Sequence, residues 1–228
     1  MTTLSTKGAL LLFTLLALAA TPARAAGLFS LAASGTITFN TSGDSTIPIG
    51  TPWTFELIYD TAAPDLSPAD PTFGDFTNTA VPPALTFFHY QAGSYEVTIA
   101  DPADFGMNSN IHITFTTAVH AIDINVNAPG LFPPLAGGAV SFHADFNHVT
   151  PPPIFESDAL PTNTALGLES FEENSVTLLP PAGVVTSSSL TSLTLTSVPE
   201  PSTAALVVVG LLVLFIVARK APRPPAHS

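Results

Sequence analysis

Trp53-Thr54-Phe55-Glu56-Leu57-Ile58-Tyr59 is the stretch whose reading decides the fold. In an extended chain Trp53, Phe55, Leu57 and Tyr59 fall on one side, and Thr54, Glu56 and Ile58 on the other. That two-residue period is the mark of a half-buried strand. The period recurs on both sides of this stretch. Gly35, Ile37 and Phe39 alternate with Thr36, Thr38 and Asn40. Leu85 to Tyr90 reads as a strand, and Tyr95, Val97 and Ile99 alternate with Ser94, Glu96 and Thr98. The turn Gln91-Ala92-Gly93-Ser94 joins these two as a hairpin. Further along, Ile111, Ile113 and Phe115 oppose His112, Thr114 and Thr116, and Ile122, Ile124 and Val126 oppose Asp123, Asn125 and Asn127. Val140, Phe142, Ala144 and Phe146 oppose Ser141, His143, Asp145 and Asn147. The last strands lie at Val176-Thr177-Leu178 and Ser188 to Ser197. No stretch between Ala26 and Val198 has a convincing helical period. About nine strands, polar outside and apolar inside, predict an all-β, antiparallel β-sandwich with a jelly-roll-like body. All 16 phenylalanines except Phe13 and Phe215 lie in this body, enough to fill the space between two sheets.

Charge narrows the partners. The basic residues are Lys7, Arg24, Arg219, Lys220 and Arg223, and none lies between 26 and 198. Of the 17 acidic residues only Glu200 lies outside that range. A body of 16 carboxylates without Lys or Arg cannot neutralise phosphates, which excludes nucleic acid as a partner. Adsorption to anionic lipid is excluded on the same ground. Each carboxylate must be solvated, hydrogen-bonded, paired with His or bound to a cation. The chain has no cysteine, so neither disulfides nor thiolate chemistry are available.

The pattern points to no enzyme. There is no G-x-S-x-G turn, and His89, His112, His120, His143 and His148 are scattered. His143 and Asp145 share one face of a strand, two ligands without a third. The proline-stiffened segment between Asp60 and Pro83 reads as a long loop. Within it Asp60, Asp65, Asp70 and Asp75 recur every five residues. Two readings stand: a solvated acidic loop, or a structural Ca²⁺ site built from hard oxygen ligands. The spacing does not match an EF-hand, and no other cofactor is called for.

The two ends carry addresses. Lys7, the apolar stretch Gly8 to Ala20 and the small residues Ala23 and Ala25 around Arg24 have the order of a signal peptide, residues 1–25, cut after Ala25. At the other end Pro199-Glu200-Pro201 is followed by an apolar run, Ala204 to Ala218, and by Arg219, Lys220 and Arg223. Two prolines around one residue keep the tripeptide extended and out of helices and central strands. As a helix the run of 15 residues is about 22 Å long, short for a hydrocarbon core of roughly 30 Å. Thr203 extends it, giving a transmembrane helix over about 203–218, and the basic tail 219–228 marks the cytoplasmic side. The body, 26–198, then lies across the membrane.

The C-terminal order, residues 199–223, resembles the PEP-CTERM sorting signal of Gram-negative bacteria. The resemblance rests on Pro199, Glu200, Pro201, the apolar run and the Arg219-Lys220 cluster, and covers about an eighth of the chain. It implies an exported precursor held in the inner membrane, with the secretion translocon, signal peptidase and an exosortase as partners. It also implies delivery to the cell surface or the extracellular matrix, often beside exopolysaccharide. The body is then a non-catalytic structural protein. A polysaccharide-binding jelly-roll module is the alternative, and an exported hydrolase a more distant one.

Overall fold

The computed structural model describes residues 27–199 apart from 136, 137, 182 and 188. Two antiparallel sheets face each other. The first holds β1 (Leu28–Thr36), β3 (Pro52–Asp60), β5 (Leu85–Ala92), β6 (Tyr95–Ile99) and β12 (Ser189–Ser197), in the order β12-β1-β3-β5-β6. The second holds β2 (Phe39–Asn40), β4 (Phe73–Thr77), β7 (Asn110–Phe115), β8 (His120–Val126), β9 (Ser141–His148), β10 (Glu173–Leu179) and β11 (Val185–Ser187). Its order is β2-β11-β10-β9-β8-β7-β4. Two single-turn 3₁₀ helices, Pro102–Asp104 and Leu168–Ser170, are the helical elements among the described residues.

The alternation read from Trp53 to Tyr59 holds: Trp53, Phe55, Leu57 and Tyr59 are all buried. They meet the inward side chains of β9. Phe142 packs edge-on against Phe55 at 5.2 Å and against Phe88 at 4.8 Å, and Phe146 lies 6.3 Å from Phe55. Each such ring removed from water contributes about 1.5–3 kcal/mol, so this cluster adds several kcal/mol to the contact between the sheets. The β5–β6 hairpin closes where expected. Ala92 pairs with Tyr95, and Gly93 takes φ +61, which a two-residue turn of this hand requires.

Three readings are corrected. The first strand runs over Leu28–Thr36, not Gly35–Asn40. Its residues are small and Ser/Ala-rich, a weak strand signature, yet it lies between β12 and β3. Ile37 is buried in phase with Leu31 and Ala33, but Phe39 is 51% exposed. The chain changes sheets there: Ile37 N–H donates to Thr51 O beside β3, and Thr38 N–H to Thr186 O in β11. The side-chain phase does not survive that step. The stretch 60–83 is also not one loop, since β4 lies within it and pairs with β7. β11, in the Ser/Thr-rich approach to the last strand, is likewise additional.

The two ends of the body are adjacent. β1 and β12 pair antiparallel with Phe29 opposite Ser197, and Val198 N–H donates to Leu28 O at 2.8 Å. No helix among the described residues is long and apolar enough to cross a membrane. The predicted signal peptide 1–25 and membrane helix 203–218 lie outside the described residues.

Candidate functional site

Of the sorting residues, Pro199 is described and exposed, two residues beyond the end of β12. Glu200, Pro201, Ala23, Ala25, Arg219, Lys220 and Arg223 lie outside the described residues. The tripeptide therefore begins at the rim of the sandwich, next to the strand that follows the expected N-terminal cut.

The four aspartates of the 60–75 segment mainly organise their own turns. Asp60 Oδ1 accepts from Ala62 N–H, and Asp70 Oδ1 from the N–H and hydroxyl of Thr72. Asp65 and Asp75 are brought together through the backbone: Asp65 Oδ1 accepts from Ser67 N–H and Asp75 N–H, both at 2.8 Å. Asp75 Oδ1 faces His112 Nε2 at 3.3 Å. The bond from the Thr72 hydroxyl, then that from its N–H, holds the Asp70 carboxyl below its ordinary range. Among the described residues no three His, Asp or Glu side chains group as metal ligands do.

A second constellation was not singled out from the sequence. The first residue of β8 and the last of β9, His120 and His148, are cross-strand partners. Both fall in the inward phase of their strands, with Ile122 and Phe146, and that parity was the signal available in the sequence. His120 is 4% exposed, with Phe115 edge-on at 4.9 Å and Phe155 stacked at 5.7 Å. Its Nδ1 accepts from Phe155 N–H at 3.3 Å, so the neutral ring carries its proton on Nε2. Burial, then the neighbouring His148, pushes the His120 imidazole below its ordinary value, while a backbone bond to Thr116 opposes them. His148 Nε2 lies 2.9 Å from Pro152 O, and its Nδ1 3.4 Å from Glu172 Oε1. Bonds from the Thr150 side chain, then from Val149 N–H, hold the Glu172 carboxyl low, with a smaller contribution from His148.

Beside these rings opens a cleft of about 510 Å³. Pro71, Phe115, Val149, Pro151 and Pro153 give it apolar walls, and Thr72, Thr116 and Thr150 place polar groups on its rim. Its volume suits a small molecule. The ring nitrogens are engaged by the backbone and by Glu172, so carbon surface dominates the lining.

The outward face of the second sheet is different. Pairing sets Asp75, His112, Asp123, Asp145 and Ser175 in one row across five strands. In the next row Asn125 donates to Asp123 Oδ1 at 2.8 Å, and its Oδ1 meets His143 Nδ1 at 3.0 Å. His143 and Asp145 do share this face, as read from the sequence, and the nearer carboxylate to His143 Nδ1 is that of Asp123, at 3.7 Å.

The class that the fold defines is an all-β sandwich of two antiparallel sheets. Beyond that class, no family model, curated protein or solved structure matches the chain.

Proposed function

We propose that this is an exported, non-catalytic surface or matrix protein, processed at both ends and sorted through Pro199-Glu200-Pro201 by an exosortase. The observation that carries the reading is the order of the C-terminal segment together with the place where the body stops. The last strand ends at Ser197, and the tripeptide, the short apolar run and the basic stop follow it in sequence. The described strands pair with one another in two sheets, an arrangement compatible with trimming at both ends. The precursor sits in the inner membrane with its body across it and is then released or attached at the surface. In cells that process other substrates of this kind, Glu200→Ala leaves a longer precursor in the membrane fraction. Processing of that variant at the normal rate would remove the tripeptide from the account.

A second reading, polysaccharide binding by the body, is favoured by the outward face of the second sheet. Planar Asn, Asp and His side chains stand there in register, with exposed Phe39 at one edge strand and Phe73, 5.1 Å from His112, at the other. Retention of the body on exopolysaccharide, lost with Asn125→Ala, is the observation that would promote it.

A further inference from the structure

The segment after β9 covers one end of the core, and its hold on the body is unusual. Four side-chain tethers reach its backbone: Glu172 to Val149 N–H, His148 to Pro152 O, His120 to Phe155 N–H and Tyr59 to Pro161 O. Two of the four are imidazoles, and they sit face to edge with ring centres 6.2 Å apart. Phe155 continues the contact inward, to Phe171 at 6.3 Å and from there to Phe146 at 5.8 Å. We propose that His120, backed by His148, is the catch of an acid-released latch that frees residues 149–156 and opens the adjoining apolar cleft into the core.

Neutral His120 gives Nδ1 a lone pair for Phe155 N–H, whereas the imidazolium carries N–H on both nitrogens. One proton therefore turns an acceptor into a donor facing a donor. The charge would also be enclosed by Phe115 and Phe155, where desolvation is costly. No carboxylate among the described residues pairs with it. The charged groups around it are few. Phe115 of β7 and the turn 116–119 are uncharged. β9 offers His148, which repels a second positive charge. The strap 149–155 is uncharged and is followed by exposed Glu156, and Asp70 lies across the cleft behind Thr72. Glu172, ahead of β10, faces His148. Protonated His148 keeps Pro152 O as the acceptor for its Nε2–H and has the Glu172 carboxylate 3.4 Å from Nδ1, so its own tether survives, and the weak point is His120.

The sign follows from linkage. His120 titrates lower in the closed form than in the open one, so the open form binds more protons between the two values. The closed form keeps its full advantage above the ordinary histidine value, about 6.5, and loses it as pH falls through that range. The carboxyl of Glu172, beside the latch, is held below its ordinary value and stays out of this window.

Hydrogen exchange read by mass spectrometry tests the latch on the full chain, extracted in mild detergent, at pH 7.5 and pH 5.0. Rates are corrected for intrinsic chemical exchange. The expected result is a loss of protection of tenfold or more in peptides covering 149–156, while β3 and β9 keep theirs. In His120→Asn the amide oxygen takes the acceptor's place and does not titrate, so protection there becomes independent of pH. An equal loss in His120→Asn overturns the proposal, as does no loss in the wild type. Should His120→Asn fail to fold, the wild type decides alone: loss confined to 149–156 supports the latch, and loss spread evenly over the strands contradicts it.

Discussion

At Gly74, in β4, a side chain has no room. A Cβ there would lie 2.2 Å from Asp158 O and 2.7 Å from the Phe76 ring. The first of these is backbone, part of the same strap that Tyr59 holds by donating to Pro161 O. Gly74→Ala must push the strap outward, at a cost of about 1–3 kcal/mol. Tyr59→Phe leaves a buried carbonyl without its donor, at a cost of about 1–2 kcal/mol. Denaturant midpoints of both variants check these values, and unchanged midpoints would contradict the packing described. Because both changes loosen one strap, the double variant should fall short of the sum.

The acidic segment ahead of β4 shows what an element owes to single side chains. Asp65 satisfies two backbone N–H groups, one in its own turn and one, Asp75 N–H, in the strand. Asp65→Ala should cost about 1–2 kcal/mol in calcium-free buffer, and Asp70→Ala less, since its bonds stay within an exposed turn. A loss for Asp65→Ala that appears only when calcium is present would give the carboxylate to a cation instead. Asp70 also sets a sign with pH. Its carboxyl is held below the ordinary value, so its stabilising share is complete above that value and vanishes as pH falls through the lowered one. This segment also shows the limit of reading the chain. The strands around Phe55, Ile113 and Phe146 were legible because branched and aromatic residues alternate with polar ones over many positions. Phe73 to Thr77 was not, because Pro68, Pro71 and four aspartates signal turns more strongly than five residues signal a strand. Leu28 to Thr36 was missed because its inward residues include Ala33 and Gly35, which carry little apolar surface. Of the histidine corner, the inward phase of His120 and His148 was legible, whereas their meeting required the β8–β9 register.

At the scale of the whole molecule, charge and the two ends decide behaviour. Among the described residues every ion pair uses a histidine. At pH 8 the carboxylates thus repel one another with little opposition, within reach of a Debye length of about 8 Å at physiological salt. Raising sodium chloride at that pH should raise the Tm, and a flat or falling Tm would mean the carboxylates are held by something other than solvent. Calcium and magnesium at equal ionic strength separate screening from a bound ion, because screening treats them alike and a many-oxygen site favours calcium. The sorting account is tested most directly by the intact mass of the protein recovered from cells and from medium. It predicts a mature chain that begins at Ala26 and ends at or beside Pro199-Glu200-Pro201. A mass that runs through Ser228, in cells that trim other such precursors, would contradict it.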